Sequence, residues 1–98
     1  MANLLRLSAC LFVLLSFNAK ALVINGCTIE SGTSCYGADL SFSDLSFTFL
    51  SFSDLSNADL SNADLYAAYL RNANLSNANL FGADLSYADL SYANLSNA

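Results

Sequence analysis

The sequence predicts an all-β solenoid, because its pattern repeats every five residues and fits neither a helix nor a flat strand. A leucine occupies every fifth position from Leu40 to Leu95, twelve times in all, and Ala, Ser or Thr lies two positions before each one. A helix turns about 100° per residue, so a five-residue step moves each leucine roughly 140° around the axis. A strand has a period of two, so its leucines would alternate between faces. A chain that turns a corner in every unit keeps all of them inside.

The other positions of the unit favour corners, since Ser, Asn and Asp bond to nearby backbone groups. Tandem Ala-Asp/Asn-Leu-x-x units, such as Ala58-Asp59-Leu60-Ser61-Asn62, fill residues 38–98 and resemble the pentapeptide-repeat family. The resemblance implies a right-handed quadrilateral β-helix with one repeat per side and four per coil, so that twelve repeats form about three coils. It places a core ladder inside, namely Leu40, Leu45, Leu50, Leu55, Leu60, Leu65, Leu70, Leu75, Leu80, Leu85, Leu90 and Leu95.

A twenty-residue period agrees with four repeats per coil. Asp54-Leu55-Ser56-Asn57, Asn74-Leu75-Ser76-Asn77 and Asn94-Leu95-Ser96-Asn97 are nearly one sequence. Residues twenty apart are therefore expected to stack about 4.8 Å apart, with Ser and Asn in neighbouring columns. This side is interpreted as structural, and ice binding is a remote alternative.

Residues 1–21 are predicted to be an export signal. Arg6 precedes an apolar stretch at residues 7–17, and Ala19-Lys20-Ala21 has the small-x-small form of a cleavage site. The stretch is shorter than the about 20 residues that span a bilayer, so no membrane span is expected in the mature chain. The alternatives are a buried N-terminal helix that caps the solenoid, or lipoprotein processing at Cys10.

Residues 22–37 are predicted to be a lead-in that covers the N-terminal end of the solenoid. Residues 22–24 read as a strand and Asn25-Gly26 as a turn. Cleavage after residue 21 would leave Cys27 and Cys35 as the remaining cysteines, able to form a disulfide in an oxidising compartment. The alternative is two unconnected thiols.

Composition restricts the chemistry. The chain has no His, which excludes histidine catalysis, and no enzymatic activity, cofactor or bound metal is predicted. Its net charge is −5, and loss of Arg6 and Lys20 would leave Arg71 against eight acidic residues, a net charge of −7. One base cannot form a basic patch, so direct nucleic-acid binding is not expected.

Asp44, Asp64 and Asp84 are expected to form an acidic column. Such a column could attract a cation such as calcium, and without a cation the repulsion among its members would raise their pKa values. The favoured interpretation is that each aspartate bonds a corner amide.

Aromatic residues are the strongest sign of a partner. Phe42, Phe47, Phe49 and Phe52 are predicted to project outward from the first coil. Tyr87 shares a column with Phe47, Tyr92 shares one with Phe52, and Tyr66 and Tyr69 continue the surface. Exposed aromatics in this number suggest a protein contact. The alternative is that the lead-in folds over the phenylalanines of the first coil.

These observations favour a non-catalytic exported β-solenoid that acts as a structural or protein-interaction module with an unknown protein partner. Its predicted location is periplasmic or extracellular, or the thylakoid lumen in a photosynthetic source. The open end after Ala98 suggests an end-to-end homodimer, and a frayed last turn is the alternative. The family resemblance suggests a second function, a DNA mimic that binds DNA gyrase. Export, the small number of coils and the lack of a C-terminal dimerising helix argue against that function.

Overall fold

The structure is a computed structural model that describes residues 21–98. The predicted export signal, apart from its last residue, and Cys10 lie outside the described residues. The described part begins with an antiparallel hairpin of β1, Leu22–Ile24, and β2, Cys27–Ile29, in which Ile24 pairs with Cys27. Asn25 and Gly26 connect the strands with φ of 48° and 82°. Two successive positive φ values give the type I′ turn whose twist suits a two-residue hairpin.

Parallel pairing between residues twenty apart organises the rest of the chain. Ser34 pairs with Asp54, and Asp44 pairs with Asp64, which in turn pairs with Asp84. Backbone hydrogen bonds follow the same register, since the Leu40 amide donates to the Asp59 carbonyl over 2.7 Å. One coil of the solenoid therefore takes twenty residues, and each coil is bonded to the next as in a parallel sheet. Residues 21–98 contain no helix that is long and apolar enough to cross a membrane.

A tight turn occurs in every five-residue unit. In the unit of Leu60, the Ala63 amide donates to the Leu60 carbonyl over 3.1 Å, and Asn62 has φ of 59°. A positive φ at the third residue of the turn, but not at the second, is the signature of a type II turn. Asn and Gly adopt this conformation most readily, which explains why Asn recurs two positions after the leucines.

The leucines form the interior. Those from Leu40 to Leu75 at five-residue steps have no exposed surface, while Leu80, Leu85 and Leu90 are partly buried. Leu95 differs from the predicted core ladder because 39% of its surface is exposed. Residues 21–98 provide no coil above that of Leu95, which accounts for its exposure in the described part of the chain.

Three hydroxyl residues replace alanine at the inward small position. Ser43, Thr48 and Ser53 each donate from the side-chain oxygen to the carbonyl of the leucine three residues earlier, over 2.6 Å in every case. Each hydroxyl is therefore satisfied at a position that is buried in Ser53 and partly buried in Ser43 and Thr48. This is the physical reason why Ser and Thr can share the position with Ala.

The solenoid starts one unit earlier than the predicted boundary at residue 38. The Cys35 amide donates to the Asp54 carbonyl over 2.8 Å, and the Ala38 amide closes a turn on the Cys35 carbonyl over 3.1 Å. Residues 33–37 thus behave as a repeat in which Cys35 takes the leucine position. The hairpin is tied to the first coil, since Asn25 Nδ2 donates to the Asp39 carbonyl over 2.8 Å.

Candidate functional site

Exposed aromatic rings cluster on two successive units of each coil. The twenty-residue register places the units at 43–47 and 48–52 beneath those at 63–67 and 68–72, and then those at 83–87 and 88–92. We call the rings of these units the aromatic surface. Its members are Phe47, Phe49, Phe52, Tyr66, Tyr69, Tyr87 and Tyr92.

The rings are in contact across coils. Tyr66 lies between Phe47 and Tyr87, with centroid distances of 5.5 Å and 5.4 Å and T-shaped geometry on both sides. Phe49 and Tyr69 stack nearly parallel at 4.8 Å. Aromatic pairs at these separations contribute about 0.5–1.5 kcal/mol beyond their buried area. The rings therefore form an ordered surface rather than isolated side chains.

The aromatic surface is open to solvent, with exposed fractions from 37% at Tyr66 to 83% at Tyr87. The alternative prediction, that the lead-in at residues 22–37 covers the phenylalanines of the first coil, is wrong, because the hairpin lies against Asp39 and leaves them exposed. Phe42 is also exposed but belongs to the preceding unit.

Two exposed rings were missed by the sequence analysis. Phe81 and Tyr36 are 77% and 66% exposed. Both directly follow the inward residue of their unit, a position that is usually Ser in this chain. Their outward direction follows from the repeat, so the same five-residue pattern provided the signal.

Several exposed rings sit on strained backbone. Phe47, Phe52, Tyr87 and Tyr92 have φ between 60° and 63°. This left-handed conformation is unfavourable for residues with a bulky side chain, by an amount on the order of 1 kcal/mol or more. Asn72 occupies the same column as Phe52 and Tyr92 and has the same φ sign. An aromatic residue here is therefore a poorer choice for the fold than Asn.

Aspartates build the corners next to these rings. In these units, and at Asp54 on the neighbouring side, Oδ1 of an aspartate accepts hydrogen bonds from the amide and the hydroxyl of the serine two residues later; for Asp44 and Ser46 the distances are 3.1 Å and 2.6 Å. These bonds lower the pKa of four such carboxyls, which we call the serine-bonded aspartates. They are Asp44, Asp54, Asp84 and Asp89.

The lowered pKa values correct one expectation for the acidic column. Repulsion among carboxylates without a bound cation would raise the pKa of its members, but hydrogen bonds from the corner serines, as in the favoured interpretation, lower the pKa of Asp44 and Asp84. Asp64 accepts a bond from the Tyr66 amide over 2.9 Å. Among residues 21–98, no group of three or more Asp, Glu, Cys or His side chains is arranged to hold a metal ion.

The regular side at residues 53–57 uses its polar groups in the same way. Asn74 Oδ1 accepts from the Ser76 amide over 3.0 Å, and Asn94 Oδ1 accepts from the Ser96 amide over the same distance. Asn57 and its stacked equivalents have positive φ and occupy the turns. These residues therefore serve the corners of the solenoid.

Arg71 is the single basic residue of the described chain, and it lies on the aromatic surface. Its guanidinium carbon is 5.0 Å from the centre of the Tyr92 ring, within the range of a cation–π interaction. Arg71 Nη1 also donates to Ser91 Oγ over 3.2 Å. The pKa of Asp89 is lowered mainly by hydrogen bonds from Ser91, with a smaller contribution from the charge of Arg71.

The two cysteines lie where the lead-in meets the first coil. Cys27 and Cys35 are both buried, their Cα atoms are 5.3 Å apart, and their sulfur atoms are joined in a disulfide. The bond ties β2 to the inward position of the first unit. It thereby anchors the hairpin over the N-terminal end of the core.

Comparison with known proteins identifies the family. The model of the family described as pentapeptide repeats (8 copies) matches residues 33–68 and 63–98. The chain belongs to the pentapeptide-repeat family, and its parallel coils form the right-handed β-helix of that family. The family match starts at residue 33, the first residue of the unit in which Cys35 replaces leucine.

Solved structures with similar sequences include three pentapeptide repeat proteins. One is HetL, a protein involved in heterocyst differentiation regulation in the cyanobacterium Nostoc sp. strain PCC 7120. Its sequence identity is 34%, the match covers 62% of this chain and 35% of HetL, and the TM-score is 0.39. A protein of the Arabidopsis thaliana thylakoid lumen is 31% identical over 83% of this chain and 58% of its own, with a TM-score of 0.40. A third, from the cyanobacterium Cyanothece, is 35% identical over 65% and 54%, with a TM-score of 0.33.

This chain thus spans between 35% and 58% of the length of those structures. The curated proteins contain no significant match to it.

Proposed function

We propose that this protein is a non-catalytic, exported β-solenoid whose aromatic surface binds a protein partner. The observation that carries the proposal is the combination of exposure and strain at Phe47, Phe52, Tyr87 and Tyr92. Solenoid stability alone would favour Asn or Gly at these turn positions, and solubility would favour polar side chains. Exposed aromatic rings on unfavourable backbone are instead typical of a recognition surface.

The proposed scaffold has a quadrilateral cross-section. One turn in each five-residue unit and pairing across twenty residues support four sides per coil. The twelve leucine repeats then make about three coils. On this scaffold the aromatic surface covers two adjoining sides, and the Ser and Asn columns at residues 53–57 lie on the next side.

Export is the second part of the proposal. It rests on the signal-like residues 1–21 and on the burial and proximity of Cys27 and Cys35, which suit an oxidising compartment such as the periplasm, the extracellular space or a thylakoid lumen. The intact mass of the full chain expressed in a bacterium, measured with and without thiol alkylation, tests this. A chain that begins at Leu22 and resists alkylation is expected; an unprocessed chain with every cysteine alkylated would contradict export.

Photo-crosslinking tests the interaction itself. The probe variant carries a photoreactive phenylalanine analogue in place of Tyr69, at the centre of the aromatic surface. The control variant carries the same analogue in place of Ser76, on the polar side. In cells of the source organism, the first position is expected to form a covalent adduct with a protein and the second is not. The adduct should disappear when Phe47 and Tyr87 are replaced by Asn. An adduct that forms equally at both positions, or survives these replacements, would contradict the proposal.

The end-to-end homodimer and the gyrase function stay predictions. The acidic charge is compatible with DNA mimicry, and a supercoiling assay tests it directly. Inhibition of gyrase by the unprocessed chain at low micromolar concentration would support that function.

A further inference from the structure

One cationic group of the chain itself, the Arg71 guanidinium, is bound on the aromatic surface. Arg71 lies over the Tyr92 ring at 5.0 Å, and its Nη1 donates to Ser91 Oγ over 3.2 Å. Ser91 in turn donates to Oδ1 of Asp89 over 2.6 Å. In the unit Asp89-Leu90-Ser91-Tyr92, the ring and the hydroxyl thus contact one guanidinium, and the carboxylate accepts a hydrogen bond from that hydroxyl.

The unit that contacts Arg71 is one of four units with the same sequence pattern. Asp-Leu-Ser-Phe/Tyr occurs four times, at 39–42, 44–47, 84–87 and 89–92. In each of them the serine hydroxyl donates to the aspartate, and the aromatic residue has a positive φ and is exposed. Since Arg71 is the single base in residues 21–98, the first three units have no cation from that part of the chain.

Charge complementarity identifies the class of partner. Residues 21–98 carry eight acidic side chains against Arg71 alone, so the aromatic surface of one copy is a poor partner for the acidic outer faces of a second copy. Guanidinium groups stack on aromatic rings and bond carboxylates and hydroxyls through a fixed fork of donors, whereas a lysine ammonium lacks that planar face. The open units therefore suit arginine in particular.

We propose that the aromatic surface binds an extended, arginine-rich segment of a partner protein, with a guanidinium over the rings of Phe47 and Tyr87 in its two open Asp-Leu-Ser-aromatic units, 44–47 and 84–87. This inference rests on the proposed function and specifies its partner. Units 44–47 and 84–87 share a column two coils apart, which corresponds to about 9.6 Å at the strand-pairing distance. A segment in the polyproline II conformation has three residues per turn and rises about 3.1 Å per residue, so side chains three residues apart lie on one face about 9.3 Å apart and match that separation. The expected motif is Arg-x-x-Arg.

Fluorescence anisotropy with a labelled Arg-Ser-Ser-Arg-Ser-Ser-Arg peptide tests the inference. The protein used is the full chain as processed by the expressing bacterium, at physiological ionic strength. The Phe47→Asn/Tyr87→Asn variant removes two rings, keeps every charge and places at both turns the residue that the fold accepts elsewhere. Its affinity for the peptide is expected to fall at least tenfold. Phe81→Ser removes an equally exposed ring outside the aromatic surface, and its affinity is expected to match that of the wild type.

A peptide with Lys in place of Arg has the same charge and is expected to bind more weakly. Three results would overturn the inference: equal binding by the double variant, which would mean attraction by charge alone; an equal loss in Phe81→Ser; or no binding of the arginine peptide by the wild type. If the peptide fails but the photo-crosslinked adduct still depends on Phe47 and Tyr87, the surface binds another class of protein. The proposed function then stands and only this inference falls.

Discussion

Truncation of one buried leucine gives a quantitative test of the packing. Leu60 has no exposed surface and belongs to a column between Leu40 and Leu80, while Leu95 is 39% exposed at the last described coil. Leu60→Ala removes the transfer free energy of the side chain and leaves a cavity, so the free energy of unfolding should fall by about 2–5 kcal/mol. Leu95→Ala loses a partial burial and encloses no cavity, which should reduce it by about 1–1.5 kcal/mol.

Urea unfolding followed by far-UV circular dichroism measures both losses under the same conditions. A domain of this size shifts its Tm by about 4–8 °C per kcal/mol, so thermal melts should separate the two variants as well. Leu60→Val is the milder alternative if Leu60→Ala does not fold, with an expected loss of about 1 kcal/mol. Equal losses for Leu60→Ala and Leu95→Ala, within about 0.5 kcal/mol, would refute the proposed leucine interior.

Three further predictions concern the turns, the cap and the corners. Gly82→Ala should destabilise by about 1–2 kcal/mol in urea unfolding, because alanine is strained at a φ of 72° and the Asn62 side-chain oxygen would have to move away from the new Cβ; an unchanged midpoint would contradict this strain. The Cys27→Ala/Cys35→Ala variant should lose about 2–3 kcal/mol, measured the same way, and an equal Tm in oxidised and reduced wild type would show that the bond does not stabilise the cap. The serine-bonded aspartates have pKa values below those of the unfolded chain, so their contribution is present above the unfolded pKa and is lost as pH falls through the folded values. The Tm should therefore fall on acidification below about pH 4, and less steeply in Ser86→Ala; a Tm that is flat with pH would contradict this.

The repeat predicts the interior because a period of five fits neither a helix nor a flat strand, whereas a chain that turns once in every unit keeps every leucine inside. The start of the solenoid is harder to predict from sequence. The unit Thr33-Ser34-Cys35-Tyr36-Gly37 lacks both alanine and leucine, yet it pairs with Asp54 as a full repeat does. The inward position accepts any apolar side chain of suitable size, so cysteine satisfies it without matching the motif.

The candidate surface is predictable in part. The outward direction of Phe47 and Tyr87 follows from the five-residue period. Their backbone strain does not, because it depends on the turn type, and the positive φ at this position of the unit is seen only in the structure. The contact between Arg71 and Tyr92 joins residues of adjacent coils, offset by one position from the twenty-residue register. A side chain as long as arginine reaches such a neighbour, and the column assignment alone does not predict it.

Solution NMR of the processed, isotope-labelled protein tests the central claim, the twenty-residue coil that gathers the aromatic surface. We predict nuclear Overhauser contacts between backbone protons of Asp44 and Asp64 and of Asp64 and Asp84, together with ring contacts between Phe49 and Tyr69. Contacts at another separation, or rings of Phe49 and Tyr69 without mutual contact, would contradict both the coil and the surface that it presents.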